Sequence, residues 1–231
     1  LIPLLAGACD DASSTTQVAS TDPEPVEWTP PPAGDDHIPF GSHAFTYAEG
    51  SILPRVTSQD GLDAATADYY DYWKRTYLRE GCGDGRRYVL SEVYGDNLTV
   101  SEAHGYGMMA LALMAGYDPD AREAFDGMVY YFRDHPASGS PDLMAWFQDT
   151  TCADAEGNTA ATDGDLDIAY ALLLADKQWG SCSGIDYRSE ALAVMSAISE
   201  QEMDREGRYL LLGNWAASGN TFYESTRPSD F

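Results

Sequence analysis

The chain has 231 residues, 44% hydrophobic and 12% aromatic, enough for one domain with a real core. Its 38 acidic and 13 basic residues leave a net charge of −25, which excludes nucleic-acid binding through basic patches. The same excess suits the solvated surface of an exported protein, and it would also attract a cationic substrate.

Residues 1–8 read as the tail of a secretory apolar segment, with small residues Ala6, Gly7 and Ala8 before Cys9. Cys9 is therefore expected to be the lipidated residue of a bacterial lipoprotein, although Ala6 stands where such boxes usually have Leu. Cleavage at an ordinary signal-peptidase site nearby is the alternative. Residues 10–38 are rich in Asp, Ser, Thr, Pro and Glu, hold no Lys or Arg, and include Pro30, Pro31 and Pro32 in a row. They are expected to be a disordered tether, and residues 39–231 a folded domain. No stretch is long enough for a transmembrane helix, so the only membrane link expected is the lipid at Cys9, placing the protein outside the cell or on its surface.

Within the domain, residues 61–79 carry Leu62, Ala65, Tyr69, Tyr72, Trp73 and Tyr77 at helical spacing. Glycines break that helix at 81–85, and a loop is expected to 98. An apolar helix follows at 100–115 and a more polar one at 120–133, stopped near Pro136. A loop leads to Leu143-Met144-Ala145-Trp146-Phe147. Another apolar helix begins near Asp163 and ends before Gly180, and a polar-faced helix spans 187–203. Residues 208–215 are expected to form a short strand or extended loop. Apolar helices thus alternate with amphipathic ones, which predicts an all-α fold with an inner and an outer layer. Few segments alternate with period two, so no large sheet is expected.

Two segments are costly for folding alone. Ala161-Thr162-Asp163-Gly164-Asp165-Leu166-Asp167 crowds three acids into a helix start, and Asp163 and Asp167 repel each other on one face. Ser101-Glu102-Ala103-His104-Gly105-Tyr106-Gly107-Met108 places Gly105 and Gly107 inside a helix, at about 1 kcal/mol each. Some neighbour must approach the backbone there. Local capping is the simpler account of the acids: Thr99 as N-cap with Glu102 at N3, and Thr162 as N-cap with Asp165 at N3. The Asp-x-Asp-x-Asp spacing is not an EF-hand, because Ile168 and Leu174 stand where that loop needs Gly and Glu.

Together the two segments resemble the active-site signatures of glycoside hydrolase family 8, S-E-G-x-G-Y-G-M and A-T-D-x-D-x-D-I-A. The resemblance covers residues 39–231 and looks like the N-terminal half to two thirds of that family's catalytic domain. It implies an (α/α)6 barrel of alternating inner and outer helices, with about three hairpins represented. It also implies an endo-acting, inverting hydrolase of β-1,4-linked polysaccharide, acting as a monomer without metal or organic cofactor. Cellulose or mixed-linkage β-glucan is the first substrate expected, with xylan and chitosan next. By resemblance Glu102 is the general acid, Asp163 binds the sugar at the cleavage point, and Trp146 and Trp215 stack on sugar rings; Tyr106, which helical spacing puts on one face with Glu102, is also expected to bind substrate. Asp165 and Asp167 are expected to be structural, and Trp73 to stay in the core. His104 either binds substrate, tunes Glu102 or is a plain substitution. No segment resembles the one that carries the family's general base. A non-catalytic carbohydrate-binding lipoprotein is the main rival reading; a polysaccharide lyase fits the Asp-rich segment less well. Of Cys82, Cys152 and Cys182, a Cys152–Cys182 disulfide would tie down the Asp163 helix, but the sequence leaves the pairing open.

Overall fold

The computed structural model describes residues 38–43, 47–91, 97–182, 184–223 and 225–227. Cys9 and the tether expectation for residues 10–37 lie outside them. The elements in chain order are helix α1 (Gln59–Tyr77), strands β1 (Leu78–Glu80), β2 (Arg87–Val89) and β3 (Asn97–Val100), then helices α2 (Ser101–Leu113) and α3 (Ala121–Asp134). Strands β4 (Pro136–Ala137), β5 (Ser140–Met144) and β6 (Phe147–Asp149) follow, then helices α4 (Thr162–Trp179) and α5 (Tyr187–Gln201). The fold is all-α; the strands form only three two-stranded antiparallel pairs, β1–β2, β3–β6 and β4–β5. Residues 208–215 stay irregular, apart from a bridge between Met203 and Leu210.

The apolar helices α2 and α4 pack against each other, and the more polar α1, α3 and α5 lie outside them. Met108, Leu111, Phe125, Met128, Phe132, Ile168 and Leu172 fill the space between the layers and are almost wholly buried. Polar links fasten the outer helices. Asp118, in the turn after α2, accepts hydrogen bonds from Tyr70 and Lys74 of α1, and Arg133 of α3 pairs with Glu190 of α5. Trp73 packs partly buried against the core, as expected.

The costly glycines have a physical cause. A Cβ on Gly105 would lie 2.5 Å from the Asp167 Cβ, and one on Gly164 would lie 2.7 Å from the Ser101 carbonyl carbon. The first turns of α2 and α4 therefore touch backbone to backbone. Gly107 serves the other side of α2, where a Cβ would meet Val89 at 2.4 Å.

The outer helices α1 and α5 carry side-chain caps, Ser58 and Asp186. The inner helices do not, which corrects both capping-box expectations. The N-cap of α2 is Val100 and that of α4 is Ala161, and neither helix start has a side-chain cap. Thr99 belongs to β3, where it pairs with Gln148, and its hydroxyl is buried without a partner. Main-chain carbonyls do the capping: Ser101 N–H donates to Trp146 O (3.0 Å), and Thr162 N–H to Leu212 O (3.3 Å). Glu102 and Asp163 each become the second residue of their helix and are released from capping duty.

A disulfide joins Cys82 to Cys152, not Cys152 to Cys182, and no described cysteine is a free thiol. It ties the β1–β2 turn to the loop after β6. Both cysteines hold positive φ, 61° and 65°, a backbone region costly for non-glycine residues.

Two outcomes follow from this packing. Gly164→Ala should lower stability by about 1–3 kcal/mol in urea unfolding, through overpacking against Ser101. Helix propensity alone would favour Ala by about 1 kcal/mol, so a net gain would refute the contact. Replacing Cys82 and Cys152 together by Ser should cost about 2–4 kcal/mol in the same assay.

Candidate active site

The two helix starts open onto one cavity of about 480 Å³. Glu102 from α2, Asp163 from α4, Trp146 from the β5–β6 turn and Trp215 from the loop after α5 all line it. Thr159, Ala161, Leu212 and Arg227 complete much of the wall. Four side chains picked out in the sequence, spread over more than a hundred residues, are thus brought together. Tyr106 is not among the lining residues, but its hydroxyl donates to Glu102 Oε1 at 3.3 Å. Burial, followed by the charges of Glu102 and Asp167, pushes its phenol above the usual range.

Main-chain bonds seat the tryptophans. The carbonyl of Trp146 caps α2, while its N–H donates to Thr159 O at 2.9 Å, just before α4. The Gly213-Asn214-Trp215 turn is held by the Asn214 side chain, which accepts from Ala160 N–H (3.0 Å) and donates to Ser138 O (3.1 Å). A Cβ on Gly213 would sit 2.2 Å from the Ala160 carbonyl oxygen, so only glycine lets this turn come so close.

The three aspartates of α4 have different surroundings. Asp163 is 5% exposed; its Oδ1 accepts the Gly164 N–H at 2.9 Å, and its Oδ2 receives the Arg227 guanidinium. Asp165 is fully buried and accepts Met144 N–H at 2.9 Å, fixing β5 to the helix. Burial first, then the Glu202 carboxylate, holds its carboxyl well above the usual range. Asp167 is half-buried, and burial together with Asp163 and Glu102 pushes it up to about 6. It stands in the acid cluster rather than in a purely structural setting. Helix dipoles at the two N-termini favour the remaining negative charge.

His104 faces away from this cluster. It is fully buried, donates from Nε2 to Met128 O at 3.0 Å and stacks on Tyr131, so it does not reach substrate in the cavity. Burial lowers it to about 4, keeping the ring neutral. Sequence reasoning missed Arg227 as a residue of this site, since nothing around it in the sequence pointed there; the repulsion expected between Asp163 and Asp167 is borne out in the raised Asp167 carboxyl. No group of three or more His, Cys, Asp or Glu is placed to hold a metal ion among the described residues, and none of their helices is long and apolar enough to cross a membrane.

Residues 57–231 match the family model for glycosyl hydrolases family 8. The chain belongs to this family. It is 46% identical over 193 residues to a beta-glucanase of Niallia circulans, and 39% identical over 193 residues to an endoglucanase of Bacillus sp. strain KSM-330. Those alignments cover 84% and 79% of this chain but 46% and 40% of the relatives, so the chain spans less than half their length. The structure superimposes on the beta-1,3-1,4-glucanase of Paenibacillus sp. X4 with a TM-score of 0.78 at 46% identity, covering 84% of this chain and 50% of that one. The layered helices are those of the family 8 (α/α)6 barrel. The described residues hold two outer–inner pairs, α1–α2 and α3–α4, and the outer helix α5.

The raised Asp167 makes stability depend on pH. The folded state holds this proton up to about pH 6, whereas the unfolded chain releases it near 3.8. Asp167 therefore costs stability progressively as pH rises through that window. Asp167→Asn should melt higher than the parent at pH 7, with the difference closing by about pH 4. Thermal melts at the two pH values check this, and a gap that stays constant would contradict the assignment.

Proposed function

We propose that this chain carries the proton-donating part of an endo-acting, inverting β-glucan hydrolase, with mixed-linkage β-glucan or cellulose as first substrate. The observation that carries the reading is the convergence of Glu102, Asp163, Trp146 and Trp215 on one cavity. The names of the relatives, beta-glucanase, endoglucanase and beta-1,3-1,4-glucanase, support the same substrate class.

The chemistry follows from the geometry. A neutral glucan offers C–H ring faces to stack on Trp146 and Trp215 and hydroxyls to bind polar groups. Glu102 gives its proton to the departing glycosidic oxygen. Positive charge then grows on the sugar carbon and ring oxygen, and Asp163 lies at that point to bind and stabilise the distorted ring. Water attacks from the opposite face, with a second carboxylate as base. We assign no residue of this chain to that base. Tyr106 orients the Glu102 carboxyl through its hydroxyl.

Export completes the reading, with Cys9 as lipid attachment site and residues 10–38 as tether. The Cys82–Cys152 disulfide supports an oxidising compartment. The protein would act as a monomer on extracellular polysaccharide.

Glu102→Gln in the full chain should lower hydrolysis of barley β-glucan by roughly 10²–10⁴-fold, the usual worth of a general acid. Binding of cello-oligosaccharide, read by tryptophan fluorescence, should persist. A variant as active as the parent would sink the assignment.

A further inference from the structure

Asp163 is nearly buried, yet it meets a guanidinium that arrives from a loop 64 residues further along the chain. Arg227 Nη1 donates to Asp163 Oδ2, and the same arginine lines the cavity beside Glu102 and Trp215. The other Asp163 oxygen already accepts the Gly164 amide. Both oxygens are thus directed, one by the helix start and one by Arg227. The loop that brings the arginine is itself packed at the site, because Phe222 meets Trp215 edge to face at 6.0 Å.

The surroundings make the cation matter. Glu102 and Tyr106 face Asp163 from α2, and Asp165 and Asp167 face it from its own helix. Beside the phenol and the guanidinium, Glu102, Asp165 and Asp167 all bring carboxyl groups to this cluster. Crowded carboxyl groups share protons, and the environment decides which of them holds one. A cation bound to one member disfavours protonation there and leaves the proton to the others.

We propose that Arg227 is a positioning residue of this site: it fixes the Asp163 carboxylate in place and balances its charge beside Glu102. This rests on the reading of Glu102 as general acid and Asp163 as the sugar-binding carboxylate. Arg227 acts through Asp163, and no bond of the substrate is made or broken at it. Because the arginine also lines the cavity, the contact couples the Trp215 loop to the acid cluster.

The test uses the full chain with Arg227→Met, Arg227→Lys, Asp163→Asn and the Arg227→Met/Asp163→Asn double variant, assayed on barley β-glucan across pH. Arg227→Met should lower kcat by roughly 10- to 100-fold, the cost of a misplaced group at the reacting centre, and move the acid limb of the profile to higher pH. Arg227→Lys should restore the limb while recovering only part of kcat, since Lys keeps the charge but not the planar fork. In the Asp163→Asn background, Arg227→Met should cause no further loss. A profile that superimposes on the parent's overturns the proposal, as does a kcat loss that remains in full in the Asp163→Asn background. Glu102→Gln, run alongside, separates the two levels. If it is active, the general-acid reading fails and this proposal falls with it. If it is inactive while Arg227→Met matches the parent, only the role of Arg227 fails.

Discussion

The site depends on one contact, the backbone-to-backbone approach of α2 and α4 at Gly105 and Gly164. Two helix starts normally keep their side chains between them. Here the missing Cβ atoms let Gly164 lie against Ser101 and Gly105 against Asp167. That brings the second residues of the two helices, Glu102 and Asp163, onto one cavity wall. Two glycines in helices cost on the order of 2 kcal/mol in intrinsic propensity. The apolar burial along the rest of the interface, from Met108 and Leu111 to Ile168 and Leu172, offsets that cost.

The same contact explains how the acids are kept available. A carboxylate at a helix start is easily absorbed by its own backbone, and the sequence offers each acid that fate. In the folded chain the first amides of α2 and α4 donate to carbonyls of Trp146 and Leu212 instead. The β3–β6 pairing places Thr99 in a strand, so it cannot turn back to cap. The carboxylates keep the benefit of the helix dipoles without spending an oxygen on the first turn, except where Asp163 accepts the amide of Gly164.

Much of this was legible in the residues. The alternation of apolar and amphipathic helices gave two layers, and the in-helix glycines announced a close approach before its partner was known. Glu102, Asp163, Trp146 and Trp215 could be named from their motifs. What stayed illegible depends on distant pieces of chain meeting. The capping-box pattern at Thr99 was local and reasonable, and it lost to a strand partner 49 residues away. Cys152 had a nearer candidate in sequence, but its loop folds back to the β1–β2 turn and meets Cys82. Arg227 carried no pattern, because its meaning comes only from the buried carboxylate it reaches. The spacing of Asp167 from Asp163 showed their repulsion but not how deep the first helical turn lies, which is what raises the Asp167 carboxyl.

Trp146 occupies the site in two separate capacities. It lines the cavity, while its peptide group links the start of α2 to the segment entering α4. The link uses only main-chain atoms, so it is indifferent to the side chain at that position. Another side chain could therefore stand there, changing the shape of the cavity wall, without disturbing the frame that carries the acids. The shape of the wall and the placing of the acids meet at one residue, yet they can change independently of one another.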